Sequence, residues 1–332
     1  MFLDSSVKTN YTGTRTCSFL PGQLFPGVMN QKILRQARRF SFMIYEITNN
    51  GISARVDSLG AQLISFMDEQ GTEYIWQRNP KVWSSCSPLL FPIIGNLRDG
   101  KTIIGGKVWE MPKHGFTRNT QFHLLNRTES SVTLGMSDSD FPEDSFPFAF
   151  EFSITYSLDG KTLTFFTEIR NPADRELPFC YGLHPAIRCP LFAGESFDDY
   201  VIRFGRPQLR GYRAYDLEKL QFDKNSEHPF PGSGTDISLS HSLFSEDALW
   251  FDRPDSHEVS IINPRSGRGI HAHFEDFATV AFWTKPVPEA EYICIEPWNG
   301  SSACSDEDDE FLHKNHLRIL KKGLYKALSW SC

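Results

Sequence analysis

The sequence predicts an all-β protein, built as a large antiparallel β-sandwich, and one hairpin gives the clearest indication. In residues 148–158 every even position carries a large apolar side chain, while the odd positions are small or polar. This alternation is typical of a strand with one buried face. Asp159-Gly160 follows, a pair favoured in tight hairpin turns, and residues 162–170 return as a second strand.

Strand-like segments recur along the rest of the chain with almost no helical periodicity between them. They cover residues 43–47, 52–57, 61–67, 72–76, 102–109, 121–126, 131–136, 176–183, 200–204, 258–263, 269–274, 278–284 and 318–329. Strands without intervening helices favour an antiparallel sandwich over βαβ units. Residues 31–40 are a helix candidate, and residues 205–247 and the acidic segment 301–310 are predicted to be surface loops.

Composition and charge limit the classes of partner and location. The net charge of −7 argues against nucleic acid or an anionic membrane surface, because both need clustered Lys and Arg. Seven scattered cysteines without a Cys-x-x-Cys pair argue against a disulfide framework or a zinc site, and favour a reducing, cytoplasmic location. No segment approaches the roughly 18 apolar residues of a membrane helix.

Residues 1–42 differ in character from the rest of the chain. They are polar, contain Gly and Pro, and show no sustained periodicity or secretory signal. We therefore expect a poorly ordered N-terminal extension over residues 1–42, and a single β-sandwich domain over residues 43–332. The sequence does not determine the oligomeric state.

Four local segments carry side chains that could do chemistry. Residues 292–300 place Glu296 at the end of an apolar strand, where a carboxylate is costly unless it has a partner or a task. His184 ends another apolar strand before a proline, His114 lies in a loop beside a glycine, and Arg98 lies in a turn. Taken singly, each is more typical of a structural residue, such as a hydrogen-bonded histidine or a turn ion pair.

A second group of residues resembles a metal site. His271 and His273 lie on the same side of a predicted strand, with Glu275 close by in the sequence. Because Ile270 and Ala272 alternate with them, we interpret the histidines as the solvent-facing side of that strand. We expect no catalytic metal, and without a phosphate- or dinucleotide-binding glycine motif we predict no cofactor.

The four segments together resemble one known family. They read Gly95-Asn96-Leu97-Arg98-Asp99-Gly100, Lys113-His114-Gly115-Phe116, Leu183-His184-Pro185-Ala186 and Ile295-Glu296-Pro297-Trp298. In order and spacing they are similar to the aldose 1-epimerases (galactose mutarotases), above all to the LacX-like branch. The resemblance extends over residues 43–330 and implies the family's β-supersandwich. Two departures bear on sugar specificity: main-branch members carry Leu-Asn-Gly-Gly and Asn-His motifs near residues 183–186, and Asn299 stands where we expect an aromatic residue.

The resemblance implies an isomerase that interconverts the α and β anomers of a free hexose by acid–base catalysed ring opening. The implied site residues are Glu296 as general base, His184 as general acid, Arg98 and His114 as substrate-binding groups, and Trp283 and Trp298 as candidates to stack on the sugar. Such a reaction needs one acid and one base of suitable pKa and neither metal nor cofactor.

Two other functions stay open at this point. A hexose-6-phosphate mutarotase would need clustered cations for the phosphate, and Arg118 and Arg188 are candidates. A catalytically silent carbohydrate-binding protein could use the same fold, since fold does not determine function. The presence of both Glu296 and His184 favours an enzyme, and the lack of a second well-placed carboxylate argues against a glycosidase.

Overall fold

Strands make up nearly all the regular structure of the computed structural model, which describes residues 43–331 apart from positions 143 and 324. The strands are β1 Ile44–Asn49, β2 Ile52–Asp57, β3 Gln62–Met67, β4 Leu89–Leu90, β5 Lys101–Ile104, β6 Lys107–Glu110, β7 His123–Arg127, β8 Ser131–Ser137, β9 Glu151–Asp159, β10 Thr162–Arg170, β11 Leu177–Phe179, β12 Tyr181–Leu183, β13 Ala186–Arg188, β14 Val201–Phe204, β15 Tyr212–Asp216, β16 Gln221–His228, β17 Asp236–Ser238, β18 Leu249–Asp252, β19 Glu258–Asn263, β20 Arg268–His273, β21 Thr279–Trp283, β22 Tyr292–Asn299, β23 Arg318–Leu320 and β24 Tyr325–Ser331. Short 3-10 turns lie at Arg98–Gly100, Thr117–Asn119, Asp138–Asp140, Phe197–Asp199, His241–Phe244 and Phe311–His313. The predicted all-β class is confirmed.

Two large antiparallel sheets form the body of the sandwich. The first has nine strands in the order β17-β14-β19-β20-β24-β10-β9-β8-β7. The second has the order β16-β15-β18-β21-β22-β12-β4, and β13 adds to β22 as its eighth strand. Smaller sheets join β1-β2-β3, β11-β23 and β5-β6.

The predicted hairpin at residues 148–170 is present as β9 and β10. These strands pair in one unbroken antiparallel register, from Thr162 opposite Asp159 to Arg170 opposite Glu151. The even-numbered side chains of β9 are buried, as the alternation predicts. Gly160 has φ +54°, a conformation that glycine adopts without steric cost.

Aromatic contacts hold the two large sheets face to face. Phe152 of β9 packs edge-on against Tyr181 of β12, with ring centroids 5.7 Å apart. Phe204 of β14 meets Phe282 of β21 at the same centroid distance, 5.7 Å. The buried residues form a main core that extends from Tyr45 to Leu320. The heavy use of Phe is therefore explained by sheet-on-sheet packing.

Several sequence predictions need correction. Residues 205–247 are not only loops, because they contain β15, β16 and β17. Strand β16 is polar and mostly half-buried, so it lacks the apolar alternation that marks a strand. Residues 72–76 make isolated bridges rather than a strand, and residues 102–109, 176–183 and 318–329 each divide into two strands.

Two predictions for the N-terminal part of the chain cannot be compared with the structure. The helix candidate at residues 31–40 and the expected extension at 1–42 lie outside the described residues. Among the residues that are described, no helix has the length and apolar content needed to cross a bilayer.

Strand β22 is the element that organises the second sheet. All its side chains are buried, and β21 pairs along one edge. On the other edge β12 and β13 behave as one strand that is interrupted at His184 and Pro185. Gly182 lies opposite Trp298 and Ala186 opposite Cys294, so the common register sets His184 directly across from Glu296. This interruption positions the candidate site.

Candidate active site

A cavity of about 240 Å³ opens where β22 meets the interrupted strand. Its lining includes the predicted residues His114, His184, Trp283, Glu296 and Trp298, and it also includes Trp83, Lys113, Arg118, Tyr215, Asp247 and Ser302. The volume is below the roughly 300–1,000 Å³ of sites for drug-sized ligands, so the cavity suits a small molecule. Five of the six predicted site residues are thus brought together.

Glu296 and His184 both line this cavity and are in direct contact with each other. The Nε2 atom of His184 lies 3.2 Å from Oε2 of Glu296, and their side chains are only 8% and 3% exposed. Gly182 and Ala186, on either side of His184, pair with Trp298 and Cys294, so the register of the flanking strands places His184 level with Glu296. The Nδ1 atom of His184 is buried and has no hydrogen-bond partner among the described residues.

Burial shifts both groups toward their uncharged forms. It raises the pKa of Glu296 well above its ordinary value; the negative charge of Asp247 adds to this shift and Lys113 opposes it. Burial also lowers the pKa of His184 to about 3. Two coupled groups in contact titrate as a pair. In the ligand-free cavity, near neutral pH, we therefore expect the pair to hold one proton, with that proton on Glu296.

His114 is held as a neutral hydrogen-bond donor. Its Nδ1 accepts a hydrogen bond of 3.0 Å from the backbone N–H of Gly95, which leaves the ring proton of the neutral form on Nε2. Burial and the neighbouring His184 lower the pKa of His114 well below its usual value. The two imidazole rings meet edge-on, with centroids 5.7 Å apart.

The backbone around His114 is tightly specified. His114 itself has φ +67° and donates its N–H to the carbonyl of Gly95 at 2.8 Å. The next residue, Gly115, has φ +73°, and a Cβ at this position would lie 2.1 Å from the carbonyl oxygen of Phe91. Only glycine fits there, which explains the His-Gly pair of the sequence motif.

Aromatic rings form one wall of the cavity. Trp283 meets His184 edge-on at 5.8 Å between centroids, and Trp83 lies 5.2 Å from the same imidazole. Trp298 is 4% exposed, and its indole N–H has no hydrogen-bond partner of standard geometry within the described range. Trp83 was not predicted from the sequence, because it lies in a loop without a motif.

Arg98 does not line the cavity, unlike the other predicted residues. Its guanidinium donates to the carbonyl oxygens of Cys304 at 3.2 Å and Glu307 at 2.9 Å, and it forms an ion pair with Asp309 at 3.4 Å. The acidic segment 301–310 thus engages this cation, and Ser302 of the same segment lines the cavity. The position of Arg98 supports a role in holding this segment rather than direct contact with a ligand.

Three charged residues of the lining extend the predicted site. Lys113 and Arg118 flank the His114 motif, and neither forms an ion pair with a carboxylate of the described residues. Asp247 is half-buried with φ +68°, and burial raises its pKa. It lies in the segment predicted to be loop, where no pattern marks it. Arg188, the other candidate phosphate ligand, is exposed on β13 and does not line the cavity.

Among the described residues, one donor set that includes two residues of the cavity lining could be considered for a metal. Ligand atoms of His184, Cys294 and Glu296 lie within 4.8 Å of one another and are buried. Burial raises the pKa of the Cys294 thiol well above its usual value, whereas a metal requires the thiolate. The three residues therefore fit proton exchange between carboxyl and imidazole better than metal ligation.

Fold and cavity define an antiparallel β-sandwich with a buried carboxyl–imidazole pair in a small-molecule cavity. Residues 43–317 match the family model for aldose 1-epimerase, and the chain belongs to this family. This finding confirms the resemblance seen in the sequence motifs.

Relatives and solved structures support the family assignment. Protein LacX of Lactococcus lactis subsp. lactis, plasmid form, is 32% identical over 273 residues, which cover 80% of this chain and 90% of that protein. The X-ray structure of a galactose mutarotase related enzyme from Lactobacillus acidophilus has 30% identity and a TM-score of 0.79, covering 87% of this chain and 96% of that one. A galactose mutarotase-like protein from Lactobacillus casei has 25% identity and a TM-score of 0.80, with 87% and 98% coverage. The predicted mutarotase-like supersandwich is confirmed.

Proposed function

We propose that this protein is a mutarotase that interconverts the α and β anomers of a free hexose. The observation that carries the proposal is the contact of 3.2 Å between His184 and Glu296 inside a small cavity. A pure sugar-binding protein has no need for a buried acid–base couple, whereas ring opening requires both an acid and a base.

The reaction needs only proton transfers at two oxygens. A base removes the proton from the C1 hydroxyl, the bond from C1 to the ring oxygen breaks, and an acid protonates the ring oxygen. After rotation about C1–C2 the steps reverse on the other face of the aldehyde. Both oxygens are bonded to C1, so an acid and a base that touch each other can reach both of them.

Glu296 and His184 can supply this acid and base from their single proton. Movement of that proton from Glu296 to His184 creates the ionised base and the protonated acid in one step. The proton count of the pair does not change, so no exchange with solvent is needed before the reaction. Each positioned acid or base contributes roughly 10² to 10⁴ in rate, which is sufficient for this reaction.

Other lining residues would bind and orient the sugar. The Nε2–H of His114 is a fixed neutral donor for the ring oxygen or a neighbouring hydroxyl, where it would stabilise charge that develops there. Asp247 and Tyr215 offer further polar atoms to hydroxyl groups. Trp283 presents an aromatic face to the apolar side of the sugar.

Polarimetry tests the proposal directly. Freshly dissolved α-D-glucose and α-D-galactose are followed with and without the protein, and we expect the approach to anomeric equilibrium to be accelerated for at least one of them. Binding of these sugars without acceleration would assign the chain to the non-catalytic carbohydrate-binding class instead.

A sugar phosphate is the second candidate substrate, and one observation favours it. Lys113 and Arg118 both line the cavity without a carboxylate partner in the described part of the chain. Two cations near one another are the usual requirement for binding a phosphate group. Comparison of kcat/KM for glucose 6-phosphate and glucose decides between the substrates. The substitution Lys113→Met should lower the value for the phosphorylated sugar much more than the value for glucose, for which Lys113 acts through its charge on the pKa of Glu296.

We also propose that the protein works in the cytoplasm. Cys86, Cys180, Cys189, Cys294 and Cys304 are buried free thiols. Unpaired cysteines are typical of reducing compartments. Fractionation of cells that express the full chain is the test, and recovery with a membrane or secreted fraction would contradict it.

A further inference from the structure

A second cluster of potential ligands lies on the outer face of the nine-stranded sheet, away from the cavity. His271 and His273 are two residues apart on β20, so they lie on the same face, and both are exposed. Their neighbours Ile270 and Ala272 are buried on the other face, which confirms that this side of the strand faces solvent.

The third member of the cluster comes from the neighbouring strand. Glu258 of β19 lies directly opposite His273, and its Oε1 is 3.4 Å from Nδ1 of His273. Ligand atoms of Glu258, His271 and His273 all lie within 4.8 Å of one another. Glu275, which the sequence placed with these histidines, lies instead beside His257 at 3.9 Å.

We propose that Glu258, His271 and His273 form a peripheral binding site for a divalent transition metal ion such as Zn²⁺. Two imidazoles and one carboxylate are a common zinc ligand set, and they leave a fourth position for water. The half-exposed side chains of Glu258 and His273 have room to close on an ion, because they are 50% and 51% exposed. The rigid strand pairing below them keeps the three ligands together.

A fourth residue orients one of the ligands. The hydroxyl of Ser260 is 2.7 Å from Nδ1 of His271, directly across the strand pair. A hydrogen bond at one ring nitrogen leaves Nε2 of His271 for the metal, and this arrangement of an imidazole between metal and hydrogen-bond partner is usual in metal sites. The hard cations Mg²⁺ and Ca²⁺ prefer all-oxygen ligand sets, so they should bind weakly here.

Occupancy of the site would stabilise the fold without taking part in catalysis. A metal held by Glu258 and His273 links β19 to β20, and an ion that binds the folded state raises its stability by mass action. The site and the cavity lie on different sheets, so metal binding and activity can be measured independently.

Titration of the untagged, chelator-treated full chain with Zn²⁺ tests the proposal by calorimetry and by melting temperature. We expect one Zn²⁺ per chain at this site and a rise in melting temperature. His271→Asn, His273→Asn and Glu258→Gln should each weaken binding at least about tenfold and remove the thermal shift. The three substituted residues are exposed, so the folded state should survive each substitution.

His123→Asn is the matched control. His123 is also on the nine-stranded sheet, is 55% exposed and contacts one carboxylate, Asp140, at 2.9 Å. This variant should bind Zn²⁺ as the unmodified chain does. No measurable binding would overturn the proposal, and so would binding that survives His271→Asn. Loss of binding in Glu296→Gln but not in His273→Asn would place the ion in the cavity and also overturn it.

Discussion

Two histidine–glutamate pairs in this molecule share the same local geometry but differ in burial. His184 lies level with Glu296 in the gap between β12 and β13, and His273 of β20 lies opposite Glu258 of β19. The contact distances are similar, 3.2 and 3.4 Å, while the side chains are at most 8% exposed in the first pair and about half exposed in the second. The register brings each pair together, and the surroundings determine its chemistry.

Burial makes a net charge on Glu296 or His184 costly, so the pair responds by moving its single proton from one residue to the other. Neither partner can ionise alone without desolvation cost, yet one proton can move between them within the cavity. The second pair is about half exposed, so its side chains can turn toward a metal ion from solvent.

Substitution of the two glutamates should separate the pairs most strongly. Glu296→Gln should lower mutarotase kcat/KM by at least about 10², the scale expected for removal of a general base. Glu258→Gln removes the equivalent carboxylate from the solvated pair and should leave kcat/KM unchanged. Polarimetry on both variants is the measurement. Equal losses in the two variants would show that burial is not what distinguishes the pairs.

The pH dependence should identify His184 as the partner that shares the proton. A second proton reaches the pair only in acid, because burial lowers the pKa of His184 to about 3. The single proton leaves only well above the ordinary range of a glutamate, because the pKa of Glu296 is raised. We therefore expect kcat/KM to form a plateau across neutral pH with an acid limb and an alkaline limb.

Two histidine variants distinguish the roles within the cavity. His184→Asn should lower the rate and abolish the alkaline limb, since Glu296 would then act only after ionisation. His114→Asn should lower the rate by about 10²-fold, as expected for loss of one oriented donor, and retain that limb. If the limb survives in His184→Asn and disappears in His114→Asn, the assigned roles of the histidines are reversed.

Substitution of Arg98 should lower the stability of the fold more than it affects substrate binding. Arg98→Ala loses hydrogen bonds to two backbone carbonyls and should cost about 1 to 2 kcal/mol of stability, with a change of only a few-fold in KM. Lys101→Ala is the control, because Lys101 makes only an exposed ion pair with Glu110 at 3.7 Å. A large rise in KM at unchanged melting temperature would instead restore the predicted contact between Arg98 and the sugar.

The substitution Glu296→Gln should raise the stability of the fold above neutral pH, although it lowers the activity. Its pKa is raised on folding, so the folded state binds the proton more tightly than the unfolded chain, and stability falls as pH rises above the ordinary 4.5. Glutamine does not titrate, so Glu296→Gln should gain relative stability with rising pH. We expect little difference in melting temperature at pH 4 and an increase of at least about 2 °C at pH 8. A gain that is independent of pH would contradict this account.

The sequence predicts most of the fold because the deciding patterns are local. The hairpin of β9 and β10 combines apolar alternation with an Asp-Gly turn, and both signals lie within adjacent residues. Strand β16 escapes prediction because it is polar and its pairing with β15, not its burial, defines it. Strand β4 has two residues and carries no pattern at all.

Only part of the candidate site can be predicted from the sequence, because some of its residues lie in local motifs and others reach the cavity only through the packed fold. In the sequence, Glu296 and His184 each follow an apolar run and precede a proline, which makes them conspicuous. The prediction that the strand ends at Glu296 is wrong, because β22 continues to Asn299. Trp83 and Asp247 reach the cavity through loops whose course depends on the packed structure, so no spacing reveals them. Arg98 lies within a recognisable motif, but its guanidinium donates a hydrogen bond to the backbone of the acidic segment 301–310 and does not line the cavity. A contact between residues so far apart in the sequence cannot be inferred from the residues next to Arg98.

The location of the proton in the ligand-free cavity can be measured directly. Infrared difference spectroscopy between the unmodified chain and Glu296→Gln, recorded at pH 7, separates the carbonyl stretch of a protonated carboxyl from that of a carboxylate. We expect the band of one protonated carboxyl group that is absent from Glu296→Gln, because burial raises the pKa of Glu296. A carboxylate signal for Glu296 instead would contradict the claim that burial makes this pair hold its proton on the carboxyl group.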